Sequence, residues 1–157
     1  MNPRIVVLSP VTLVGMRIQT TLADHSQTPG LWQSFGPRRK EVPHKDGEDA
    51  YSVTRLLGLG RYAPNTQVER WAAVPVRHFL DLPKDMMAFD LPGGTYATFT
   101  YRGTVADFIP VLTHFHEEWL PNSEFELDDR PHFEILGPDY LGPNNPDSRE
   151  RIFIPVK

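Results

Sequence analysis

The order of the elements legible in the chain predicts an α+β fold made of a duplicated β-α-β-β unit. Three observations carry this expectation. Strand-like and helix-like segments recur twice in the same order along the 157 residues. The two series also end alike. Glu69-Arg70-Trp71-Ala72-Ala73-Val74-Pro75-Val76 closes the first and Glu150-Arg151-Ile152-Phe153-Ile154-Pro155-Val156 closes the second, with a one-residue gap between them. Finally, each series holds one segment with apolar residues at helical spacing, as one helix per unit requires. The units, about 1–82 and 93–157, are expected to pair across a pseudo-twofold axis in a single domain spanning 1–157. Their strands would form an antiparallel sheet with helices on one face and a ligand groove on the other.

The elements follow in order. Ile5 to Ile18 is rich in β-formers and reads as one extended strand, bent at Pro10. Thr28-Pro29 has the chemistry of an N-cap followed by proline at the first helical position, and Leu31, Trp32 and Phe35 continue at helical spacing. Gly36-Pro37 interrupts or kinks that helix. Strands are expected over Tyr51 to Leu59 and Val68 to Phe79, with a turn over Gly60 to Thr66 between them. Pro83 to Pro92 reads as a connector. The second unit opens at Gly93-Gly94 with a strand from Thr95 to Arg102. Thr104-x-x-Asp107 resembles a capping box, and Phe108, Leu112, Phe115 and Trp119 then mark one helix face. Leu120-Pro121-Asn122 stops the helix. Strands close the unit at Pro131 to Gly137 and Glu150 to Val156.

Composition narrows the function. Sixteen Lys+Arg against 20 Asp+Glu give a net charge of −4, the wrong sign for a nucleic-acid binder. The first element is a strand, so no helix-turn-helix opens the chain and no direct nucleic-acid partner is expected. No apolar run approaches the roughly 20 residues of a membrane span, and the N-terminus does not read as a signal peptide. A cytoplasmic location and no membrane partner are therefore expected. With no cysteine, thiol chemistry and thiolate metal sites are excluded. His114 and His116 are two residues apart and point to different helix faces, so neither metal nor cofactor is expected. Aromatic residues make up 11% of the chain, enough for a dense core or a lined pocket.

Glu134 stands out in His132-Phe133-Glu134-Ile135-Leu136. Alternation places Phe133 and Ile135 on one strand face and Glu134 on the other. If the first pair faces the helix-covered core, Glu134 faces the groove. A carboxylate among apolar residues is costly unless paired or functional, and suits a cationic, apolar ligand. The competing reading is a solvated Glu, or one bridged to an Arg such as Arg130. Trp119 ends its helix, where it could pack over the groove mouth. Trp71, Tyr51 and Tyr96 sit on presumed strands, and pocket and core remain equally open for them. Trp32, Phe35, Phe108 and Phe115 read as core.

A set of motifs in the second half carries a family resemblance. Gly94-Thr95-Tyr96-Ala97-Thr98-Phe99 is followed by Arg102-Gly103. Glu118-Trp119-Leu120-Pro121, Arg130-Pro131-His132-Phe133-Glu134 and the closing Ile154-Pro155-Val156 then come in order. The set resembles the GyrI-like small-molecule-binding family, the effector-binding domain fused to some AraC-type and MerR-type transcription regulators and also found alone. Leu31-Trp32-Gln33-Ser34-Phe35 fits the family's first helix. Gly36-Pro37 departs from the family pattern, as does Leu136 in place of an aromatic residue. The resemblance implies the duplicated fold and a groove for hydrophobic, often cationic compounds, with Glu134 as the ligand-facing carboxylate. It makes a standalone binder of a hydrophobic, cationic small molecule the leading expectation, with Glu134, Trp119, Trp71, Tyr51 and Tyr96 in the site. Two alternatives stand beside it: a hydrolase of electrophilic xenobiotics using the same pocket, and an interaction module that inhibits a protein partner.

Overall fold

Pro10 has no N–H to give to a strand ladder, and the N-terminal apolar run breaks there. In the computed structural model, which describes residues 1–58 and 62–157, it forms two strands, β1 (Arg4–Leu8) and β2 (Val11–Thr21). One bent strand over Ile5 to Ile18 was expected, and the two pieces instead lie far apart in strand order. The remaining elements are α1 (Thr28–Phe35), β3 (Ala50–Leu56), β4 (Gln67–Pro75), β5 (Met87–Leu91), β6 (Gly94–Arg102), α2 (Val105–His114), β7 (His132–Leu136) and β8 (Arg149–Pro155). A 3₁₀ turn over Gly36–Glu41 extends α1, so Gly36-Pro37 tightens the helix rather than ending it. A π turn over Phe115–Trp119 extends α2. The Thr104 hydroxyl accepts the Asp107 N–H at 3.3 Å, as the capping motif requires. At α1 the cap differs from expectation: Gln27 holds that position without a side-chain bond, and Thr28 is already helical. The connector expected over Pro83 to Pro92 contains β5, whose short Met-Ala-Phe-Asp-Leu run is paired to β2. The expected end of the Tyr51 strand at Leu59, and the start of the turn at Gly60, lie outside the described residues. Among the described residues no helix is long and apolar enough to cross a membrane.

The eight strands form one antiparallel sheet in the order β1-β6-β8-β7-β3-β4-β2-β5. From the central β7–β3 pair outward, β7-β8-β6-β1 mirrors β3-β4-β2-β5, which is the pseudo-twofold arrangement. Register makes the symmetry specific. Ser52 faces Glu134 across the axis, Ser52 pairs with Ala72, and Glu134 pairs with Ile152. Ser52 and Glu134 are therefore symmetry mates, as are Ala72 and Ile152, and Arg70 and Glu150 two residues before them.

The sheet must also curl. β1 and β2 are six inter-strand steps apart, about 29 Å if flat, yet Ser9-Pro10 joins them with a reach of roughly 11 Å. Pro92-Gly93 joins β5 to β6 under the same constraint. The two links touch at Gly93, where a Cβ would lie 2.5 Å from the Leu8 carbonyl oxygen. The curl buries one sheet face against itself. Leu13, Val53, Trp71, Leu91, Tyr96, Phe133, Ile135 and Phe153 fill that core, with Phe133 stacked on Phe153 at 4.7 Å. The other face carries the helices. α1 packs Leu31 and Phe35 onto Val14, Ala72 and Val74, and α2 packs Phe108 and Phe115 onto Phe99, Ile152 and Ile154.

Candidate functional site: a cleft between the two helices

α1 covers β2 and β4, and α2 covers β6 and β8. The central strands β3 and β7 are left between them. Their helix-side residues are Ala50, Ser52 and Thr54 opposite Leu136, Glu134 and His132. Glu134 thus stands on the floor of a cleft, at the pseudo-twofold axis. The sequence placed it on the face away from the helices, with Phe133 and Ile135 toward them. The structure reverses this: Phe133 and Ile135 join the core inside the curled sheet, and Glu134 shares the face of Ile152 and α2.

At the Ala50–Leu136 end of these strands lies a cavity of about 380 Å³ whose lining includes Trp32, Arg39, Glu48, Asp49, Leu136 and Tyr140; Glu134 does not line it but stands two residues from Leu136 on the same strand face. That volume lies in the range of small-molecule sites. The other end is closed by an aromatic cluster. Tyr62 stacks on His116 at 4.2 Å and on His132 at 5.3 Å, and the two imidazoles are 6.3 Å apart. The π turn presents His116 to this cluster, a use of π geometry common at functional sites.

The electrostatics of the floor are unusual. Glu134 is enclosed by protein yet partly reached by solvent, and burial pushes its carboxyl up to about 7. Hydrogen bonding from Ser52 and the charge of Arg70 pull the other way. Glu150 lies diagonally from Glu134 on the adjacent strand. Burial first, and the Glu134 charge second, push it to about 8. Tyr140, which lines the cavity, is pushed up to about 12 by burial and then by Glu150 and Glu134. Burial holds His116 down to about 4 and His132 to about 3, so both rings are neutral at pH 7. Each has a buried Nε2 with no hydrogen-bond partner. Arg70 spends its guanidinium elsewhere, donating to the carbonyls of Leu22 at 2.7 Å and Thr21 at 3.3 Å and to the Thr54 hydroxyl at 3.3 Å. Among the described residues neither Glu134 nor Glu150 has a cation within 4.0 Å.

The structure does not bring the five expected site residues together. Glu134 is on the cleft floor. Trp119 is on the same side of the sheet but lies bedded on Phe115 at 5.0 Å. Trp71, Tyr51 and Tyr96 belong to the opposite face, inside the curl. Trp71 donates its Nε1–H to Glu69 at 2.7 Å, Tyr51 stacks on Phe133 at 5.7 Å, and Tyr96 donates to the Pro92 carbonyl at 2.7 Å. Arg130 is no partner for Glu134. It covers the Tyr96 ring at 4.5 Å and binds Asp128 and the carbonyls of Thr95 and Val156. Sequence reasoning missed Glu150, Tyr140, Tyr62 and Arg70. A signal existed for two of them. Aligning Pro75-Val76 with Pro155-Val156 sets Arg70, not Glu69, opposite Glu150, on the face of Ala72 and Ile152.

A two-helix, pseudo-twofold α+β domain with a carboxylate-floored cleft has the build of a small-molecule-binding domain. The chain belongs to the GyrI-like small molecule binding domain family, whose model matches residues 1–157. It is 27% identical to the transcriptional regulator BrlR of Pseudomonas aeruginosa over 162 residues, covering 99% of this chain and 56% of that protein. The chain therefore spans about half the length of that curated relative. Among solved structures, SAV2435 bound to tetraphenylphosphonium superposes with a TM-score of 0.73 at 16% identity, covering 100% of this chain and 94% of that one. The C-terminal domain of EcmrR gives 0.72 at 17% identity, with 99% and 97% covered. At these identities the likeness establishes the fold.

Proposed function

We propose that this domain binds a hydrophobic organic cation in the cleft between α1 and α2, for sensing or sequestration. Glu134 supplies the anionic contact, and Trp32, Tyr140 and Tyr62 supply apolar and π surface. The observation that carries this reading is the partly solvent-reached Glu134 carboxyl, which no side-chain cation among the described residues neutralises at ion-pair distance. A ligand cation would supply the missing partner, and aromatic walls would add cation–π attraction. The tetraphenylphosphonium held by SAV2435 is a compound of this class. The test is calorimetric titration of tetraphenylphosphonium into wild-type protein and Glu134→Gln. Saturable binding weakened at least about tenfold, or about 1.4 kcal/mol, is expected in the variant. Absence of binding, or equal affinity in both proteins, would overturn the reading.

One observation favours a second, hydrolytic reading. Glu134 is poised near neutrality, as a general base requires. Incubation with an electrophilic aromatic substrate separates the two: multiple-turnover loss of substrate supports hydrolysis, and its full recovery supports binding alone.

A further inference from the structure

We propose that Glu150 is a second ligand-facing carboxylate, and that the cleft is matched to ligands carrying two cationic centres. This rests on the binding reading above and names the ligand class within it.

The geometry comes from register. Glu134 pairs with Ile152, so Glu150 is its diagonal neighbour on the same face of the adjacent strand. Diagonal neighbours of this kind stand roughly 7–8 Å apart. Tyr101, opposite Glu150 on β6, belongs to the core under α2, which fixes Glu150 on the helix side. Tyr140 lies close enough to both carboxyls to feel each charge. The floor is thus a two-carboxylate surface with a phenol beside it.

Charge balance separates the two acids. Arg70 lies two strands from Glu134 and partly offsets its charge. It is the symmetry mate of Glu150 and sits on the far side of the axis. Among the described residues the structure records no cationic side chain acting on Glu150, and the charged influence on it is the repulsion of Glu134. The neighbouring basic residues are committed elsewhere. Arg102 pairs with Asp147, Arg151 with Asp49, and Arg39 donates to the Glu48 carbonyl. Burial and mutual repulsion hold the two carboxyls partly protonated near pH 7, because each desolvated charge raises the cost of the other. A ligand with positive centres at both ends of a rigid apolar body would neutralise both at once.

Two isosteric probes test this. 1,1′-Dimethyl-4,4′-bipyridinium carries its two quaternary nitrogens at opposite ends of a biaryl. N-methyl-4-phenylpyridinium has the same shape and one charge. Calorimetric titration of both into wild-type protein is expected to give at least about tenfold tighter binding of the dication. Glu150→Gln should abolish that preference, the dication then binding no tighter than the monocation to the same variant. Glu150→Asp, which keeps the charge, should retain part of the preference, and circular dichroism melts check that each variant is folded. Equal affinities for the two probes in the wild type, or an unchanged preference in a folded Glu150→Gln variant, would overturn the inference. If the monocation still binds and Glu134→Gln still weakens it, the binding reading survives that failure. If neither probe nor tetraphenylphosphonium binds, both fall.

Discussion

Replacing Glu134 by Gln should stabilise the ligand-free protein, and only at higher pH. Glu134 is an acid whose folded value is raised. Such a group penalises the native state where it is ionised, so the penalty is absent below its unfolded value of 4.5 and complete above about 7. A rise from 4.5 to about 7 corresponds to about 3 kcal/mol of lost stability. Solvent reaches part of the side chain and Glu150 titrates with it, so a gain of about 1–2 kcal/mol is the working figure. For a chain of this length that is about 2–8 °C in Tm. The substitution keeps the size of the side chain and lowers the repulsion on Glu150, which adds in the same direction. Differential scanning calorimetry of both proteins without ligand, at pH 8.5 and pH 4.5, is the assay. Glu134→Gln should melt higher at pH 8.5 and match the wild type at pH 4.5. A lower Tm at pH 8.5, or an equal gain at both pH values, would refute the reasoning: the carboxyl would then be satisfied in the native state.

The imidazoles titrate in the opposite sense. His116 and His132 are held to about 4 and about 3, so the unfolded chain takes up protons near 6.5 where the native state does not. Stability from this source falls as pH drops from 6.5. NMR titration of the ring protons should show both residues neutral down to pH 5, and His132→Phe should lose less stability between pH 7 and 4 than the wild type. Gly15→Ala should cost about 3 kcal/mol or more, read from the urea midpoint, because its Cβ would sit 2.6 Å from the Ala73 Cα and closer still to the Ala72 carbonyl oxygen. A wild-type midpoint in that variant would mean that β2 and β4 separate more easily than their register implies.

Much of the fold was legible because local chemistry and tertiary packing agree. Thr104 and Asp107 announce the start of α2, and Phe108 and Phe115 mark its buried face. Disagreement arose where a strand's role depends on a distant partner. Met87–Leu91 is short and flanked by prolines, and only its pairing with β2 makes it a strand. Ile5 to Ile18 has no local signal that its halves belong to opposite parts of the sheet. Glu134 shows the limit most clearly. Period-2 alternation divides β7 into two faces but does not say which face meets the helices. In an ordinary one-sided sheet the apolar set would be the helix side. Here the sheet curls over its other face, and Phe133 and Ile135 are buried there instead. For the same reason Trp71, Tyr51 and Tyr96 carried no sign of which side they serve. Glu150 was in plain view within the echo, but reading that echo from its Glu-Arg start hid the pairing with Arg70.

The crossing of the two links at Gly93 has a consequence for how the molecule comes apart. With β5 counted to the second half, as its mirror position to β1 requires, each half borrows its outermost strand from the other: Arg4 pairs with Thr98 on one side, and Gly15 with Met87 on the other. Neither half is a finished sheet alone, so neither can loosen without uncovering an edge of its neighbour. Local fraying is converted into a global event, and the protein should unfold in one step although it is assembled from two similar parts. The chain is in effect a dimer that keeps its exchanged strands inside a single polypeptide, and the cleft between α1 and α2 lies on the seam that this exchange holds shut.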